Sequence, residues 1–118
     1  MANAKVKEVA LKTGRKAWFL RVTGKGRADL RSGLFLRILE AQKKQDAATT
    51  PAEIYEAANA VEALQAEVMA AQVCNAEGAL LYASGEAYLA DIDVDEHRAL
   101  WNAFMSYVFG SPEDKPGN

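Results

Sequence analysis

The stretch Thr50-Pro51-Ala52-Glu53 constrains this chain more than any other. A threonine that can cap, a proline suited to the first helical position and a glutamate at the capping-box partner position together start a helix. The following residues carry it to about Val73. Ile54, Ala57, Val61, Leu64, Val68 and Ala71 recur at spacings of three and four, which is one face of a helix. The seam spans under three heptads, too short for a free coiled coil, so the sequence predicts packing against a sister helix in the same domain. Of the 118 residues, 23 are alanine. Alanine favours helix but buries little area, so the chain reads as mainly α with a thin core.

The rest of the chain fits around that helix. Val6, Val9 and Ala10 against Lys5, Lys7 and Lys12 suggest a short amphipathic helix stopped at Gly14. Lys16–Val22, with Trp18 and Phe19, reads as a strand, and "TGKG" breaks it. "RADLRSGLFLRILEAQKKQ" reads as a helix whose apolar face holds Leu30, Leu34, Phe35, Ile38 and Leu39, with Gly33 allowing close packing. "DAATT" is a short linker. After the long helix, "NAEG" is turn chemistry, with Asn75 and Gly78 both tolerant of positive φ. "ALLYA" is a strand or an extended segment, and "SGEAYLADI" holds a short helical turn. Asp93 caps a final helix with Glu96 as its capping-box partner, and Gly110 ends that helix. The expected architecture is a small helical domain over residues 1–110. It has a short N-terminal strand, a short extended segment near residues 79–83, and a disordered tail over residues 111–118.

Charge is distributed unevenly. Residues 1–44 hold twelve Lys/Arg and three Asp/Glu, a balance of +9; residues 45–118 hold two and thirteen, a balance of −11. Such asymmetry suggests charged partners or self-association of unlike ends, unless the folded body mixes the two signs. No run approaches the ~20 apolar residues of a membrane span. The N-terminal stretch has no long apolar segment, so no secretory signal is expected, and a lone cysteine forms no intrachain disulfide. These features point to a reducing, cytoplasmic setting.

No motif points to catalysis. Cys74 would need a base, and the sole histidine, His97, is remote in sequence, so the expectation is a packed thiol. One Cys and one His do not make a zinc site. "DIDVDE" lacks the glycine and distal glutamate of a calcium loop, and acids gather at a helix N-terminus for dipole reasons alone. "TGKGRAD" fails the phosphate-loop pattern. Neither cofactor nor metal is expected, and the chain reads as a non-enzyme. The alternative is a small nucleic-acid-binding protein. Eight Lys/Arg in residues 5–27, interleaved with Trp18 and Phe19, could hold phosphates and stack bases. The acidic second half, which would repel nucleic acid, weighs against it.

Two stretches carry a family likeness. The first, "KAWFLRVTGKGRADLRSGL", is an aromatic strand ending in Arg-Val, a small polar turn, then Arg-Ala-Asp opening a helix. The second, "AEVMAAQVCNAEGALLYASGEAYLADIDVDEHRALWNAFMSYV", runs through helix, turn with Gly78, apolar pair with Tyr82, helical turn and a final helix with Leu100, Trp101 and Phe104. In this order the chain resembles the tail assembly chaperones of long-tailed bacteriophages. Where that family has an acid-acid-Gly turn, Asn75-Ala76-Glu77-Gly78 stands here.

The resemblance implies a late, non-enzymatic protein of the host cytoplasm, absent from the finished virion. It would coat the tape-measure protein and help recruit tail-tube subunits. The tube subunits would be met through a longer form made by ribosomal frameshifting, of which this chain is the shorter counterpart. The partners so implied are the tape-measure protein, the tail-tube protein and further copies of the chain, with no membrane. Candidate contact residues are Trp18, Phe19, Val61, Leu64, Val68, Trp101, Phe104 and Met105. Met69 and Met105 add side chains that can repack around varied partners.

Overall fold

A computed structural model describes residues 5–110. The first element is a strand, not the helix that the Val6/Val9/Ala10 spacing predicts. β1 (Val6–Ala10) pairs antiparallel with β2 (Lys16–Leu20), with Val6 opposite Leu20 and Ala10 opposite Lys16. The pairing partner lies outside any local window, and it overrides a weak helical pattern. Gly14 does not stop a helix. It sits at φ +90° in the hairpin turn, where the Leu11 amide donates to the Arg15 carbonyl at 2.8 Å. β3 (Val73–Cys74) adds to the far side of β2, giving the order β1-β2-β3. The expected single strand is thus the centre of a small antiparallel sheet.

Four helical runs pack on this sheet. α1 (Gly24–Leu30) is capped by Thr23, whose hydroxyl accepts from the Gly26 amide. Without a break it passes through a π-helical turn, Arg31–Phe35, into α2 (Leu36–Ala47). The wide turn changes the phase of the helix. Phe35, Ile38 and Ala41 face the core, whereas Leu39, expected on that face, is 55% exposed. The Ser32 hydroxyl donates back to the Ala28 carbonyl at 3.1 Å, a contact that bends helices. Gly33, expected to permit close packing, has open space where a side chain would sit.

α3 (Pro51–Gln72) runs as the capping signal predicts, about 33 Å at 1.5 Å per residue. The Glu53 amide donates to Thr50 Oγ1, and the Thr50 hydroxyl donates to the Glu53 carboxylate. The helix packs on α2, as expected for a sister helix, with Ala57, Ala60 and Leu64 beside Arg37, Ala41 and Lys44. Its last turns are enclosed more fully: Ala66, Val68, Met69 and Ala70 are all buried. The agent is α4 (Gly85–Asp91), capped by Ser84. A Cβ on Gly85 would lie 3.0 Å from the Glu67 nitrogen, so the two helices touch backbone to backbone.

α5 (Val94–Phe109) is capped by Asp93, whose carboxylate accepts from the Glu96 amide at 2.8 Å, and ends at Gly110 with φ +76°. The core gathers where α5 crosses the sheet. The Phe19 ring stands edge-on to Phe104 at 5.2 Å and stacks on Tyr107 at 6.4 Å. Phe35 meets Trp101 and Phe109 edge-on. The turn after β3 is built as expected. Asn75 Oδ1 accepts from the amides of Glu77 and Ala79, Gly78 takes φ +90°, and Leu80 bridges back to Cys74. The segment near residues 79–83 meets the sheet only along β3: besides that bridge, the Leu81 amide donates to the Val73 carbonyl at 3.3 Å. The tail over residues 111–118 lies outside the described residues. No helix among the described residues is long and apolar enough to cross a membrane.

Candidate partner-binding surface

Burial divides the candidate contact residues into two groups. Phe19, Val68 and Phe104 have no exposed surface, and Val61 is buried at 9%. These four hold the chain together in this conformation. Trp18, Leu64, Trp101 and Met105 are half-buried, and Leu64, Trp101 and Met105 pack against the core with one side open. The helical spacing that picked out Val61 and Val68 reports a core seam, because the three-four rule marks the face a helix buries without saying against what.

The largest groove, about 940 Å³, lies between the β1 hairpin and α5. Val9, Leu11, Ala103, Met105 and Phe109 give it apolar walls, with Lys7, Lys12 and Arg98 among its charged lining. Met105 is the one candidate contact residue that lines it. A smaller cleft of about 300 Å³ holds Trp18 above Val73, Cys74 and Leu100. Its polar side is tied together: Arg15 pairs with Glu96 at 3.0 Å, and the Tyr82 hydroxyl donates to Asp91 at 2.7 Å. Burial, with the bond to Asp91 beside it, pushes the Tyr82 phenol up to about 12. The Arg15–Glu96 pair joins the basic and acidic halves of the sequence within one copy.

Sequence reading missed other exposed apolar residues. Leu36, Leu39 and Tyr55 lie on the α2–α3 hairpin, and Leu80, Leu81 and Val94 lie around the β3 turn and the start of α5, each about half exposed or more. Ile54, placed on the helical seam, is also open at the hairpin end. Leu36 and Leu39 were legible only as members of an amphipathic helix, and the π turn that exposes Leu39 leaves no local signature.

Cys74 is 1% exposed, and burial pushes its thiol up. His97 does not reach it. Gln65 Oε1 can only accept, so His97 Nε2 donates to it at 3.1 Å; Nδ1 then accepts from the Tyr88 hydroxyl at 2.7 Å. Both ring nitrogens are engaged, and burial lowers the imidazole's proton affinity. The acids of "DIDVDE" are divided among an α5 cap, a bond to Tyr82 and ion pairs with Arg98 and Arg15. No group of three or more His, Cys, Asp or Glu side chains among the described residues is placed to hold a metal ion.

No family model, curated protein or solved structure matches this chain. What can be said of its action therefore rests on surfaces. There is an open apolar groove with a flexible methionine, and there are exposed leucines on an arm of two helices.

Proposed function

We propose that the chain is a bacteriophage tail assembly chaperone that binds and solubilises the tape-measure protein in the host cytoplasm and takes no part in the mature virion. The resemblance of its two motif stretches raises this reading. The observation that carries it is the groove between β1 and α5, whose apolar walls include the adaptable Met105. A long amphipathic client left uncovered would aggregate, and a mostly apolar groove repeated over many copies would cover it. A frameshifted longer form would recruit tail-tube subunits. Copies of the chain would self-associate, with basic and acidic surfaces meeting across copies. Such contacts are screened over about 8 Å at physiological ionic strength, so high salt should loosen them.

Nucleic-acid binding fits less well. Phe19, one of the two rings a stacking surface would use, is enclosed by Phe104 and Tyr107. Co-expression with the tape-measure protein tests the proposal. The client should stay soluble with the wild-type chain and precipitate without it, and Met105→Glu, which puts a charge in the groove, should lower the soluble yield. A client that precipitates in the presence of the folded chain would refute the reading. So would a dominant affinity for nucleic acid that falls steeply with salt.

A further inference from the structure

β1 is an outer strand of the sheet, and the ladder says which of its main-chain groups are left over. The Arg21 amide donates to the Lys5 carbonyl at 2.9 Å, and the Leu11 amide to the Arg15 carbonyl at 2.8 Å. Hydrogen-bonded pairs alternate along an antiparallel ladder, so Lys7 and Val9 also turn their main-chain groups to β2. Val6, Glu8 and Ala10 then aim one N–H and one C=O each the other way. No strand among the described residues lies there to take them. The groove of about 940 Å³ opens along this same strand. Val9 lies on the sheet face that Phe19 turns to α5, and with Leu11 it forms one wall; Ala99, Ala103, Met105 and Phe109 of α5 form the other. Charge in and around the groove is mostly cancelled. Asp95 and Arg98 pair at 3.6 Å, and Glu8, on the opposite face of β1, lies 3.9 Å from Lys16. The ammonium groups of Lys7 and Lys12 are left with no carboxylate partner among the described residues.

We infer that this edge and groove take an extended, acidic segment of a partner protein, added as a further strand beside β1. The main-chain edge selects the form of the occupant. Donors and acceptors that repeat at every second residue are met by another strand, whereas a helix has already paired its own. The groove selects the side chains. Alternate residues of the added strand turn to α5, where Ala99 and Ala103 leave room for apolar groups, and the rest face solvent. A carboxylate on the segment reaches Lys7 or Lys12. A second copy's β1 would bring its own Lys7 and Lys12 to the same place, and lysines on an edge strand oppose pairing with a like edge. The inference rests on the proposed function only in taking this groove as the partner site, and it adds the form in which the partner enters.

The test uses the isotope-labelled full-length chain and a capped synthetic peptide of about seven residues, valine alternating with glutamate and threonine. Amide exchange read by NMR should show Glu8 and Ala10 protected when the peptide is added. The Lys7 and Val9 amides, already bonded to β2, should change little. The same peptide N-methylated at alternate residues, and one with lysine for glutamate, should each bind about tenfold or more weakly. Glu8→Pro removes an outward N–H and no bond to β2, which an edge strand tolerates, so its Tm should stay near wild type while its affinity falls about tenfold or more. Glu8→Thr keeps that N–H and should bind as wild type does. Absence of peptide binding, binding without protection at Glu8 and Ala10, a folded Glu8→Pro variant with wild-type affinity, or equal binding of the N-methylated peptide would each overturn the proposal. So would protection of Glu8 and Ala10 in a self-associated chain with no peptide present, since a second copy would then be the occupant. Peptide binding at this edge beside a tape-measure protein that still precipitates would support the strand site and count against the chaperone reading.

Discussion

Replacing Gly85 by alanine sets two physical effects against each other. Helix propensity alone favours the change, since alanine is better than glycine by about 1 kcal/mol in a helix interior and somewhat less in a first turn. The structure says the opposite. The new Cβ would sit 3.0 Å from the Glu67 nitrogen, 3.1 Å from the Ala66 carbonyl carbon and 3.3 Å from the Glu67 Cα. All three are backbone atoms in the body of α3 and have no rotamer in which to yield. α4 must therefore back away from α3, loosening the contacts of Tyr88, Ala66 and Ala70, which are at most 5% exposed. Overpacking of this kind costs about 1–3 kcal/mol, which outweighs the propensity gain. At about 4–5 °C per kcal/mol, between the values for smaller and larger domains, Tm should fall by about 5–15 °C. Gly33→Ala is the control, because nothing lies within 4 Å of its Cβ position and its φ is not positive. It should stabilise by about 0.5–1 kcal/mol. Thermal denaturation followed by circular dichroism reads both. A Gly85→Ala variant at or above the wild-type Tm would refute the close-contact argument, and so would a Gly33→Ala variant that loses as much as Gly85→Ala.

Phe104→Ala removes a fully buried ring that packs on Phe19 and Tyr107, and should cost about 3–5 kcal/mol in a denaturant titration. His97 is neutral in the fold and its proton affinity is lowered by burial, so the folded state binds fewer protons than the unfolded chain below the unfolded pKa of about 6.5. Its contribution to stability is therefore present above that pH and lost as pH falls below it; Tm should drop between pH 7 and 5, and His97→Gln should flatten that part of the profile. Thr50→Ala, which removes the α3 cap, should lower stability by about 1 kcal/mol, read as a shift in urea midpoint. Cys74→Ala should leave client binding intact with a modest loss of stability; loss of binding in a variant that still folds would make the thiol more than a packing group.

The sequence by itself determined the elements whose causes are local. Thr50, Ser84 and Asp93 each place a side-chain oxygen at the first free amides of a helix, and Asn75 and Gly78 build a turn from their own backbone preferences. Those interactions span two to four residues, so a reader of the sequence meets both partners together. Only the tertiary structure decided that residues 6–10 form a strand, because the hydrogen bonds that make them one come from β2. It alone decided which apolar stripe is core and which is surface. Val61 and Leu39 both stand at regular helical spacing, yet one is enclosed by the body and the other is turned out by a single π turn upstream. Periodicity fixes the angle of a side chain about its own helix axis. What lies across from that side chain is set by contacts between segments far apart in the chain, and those contacts separate the core from the surfaces left for a partner.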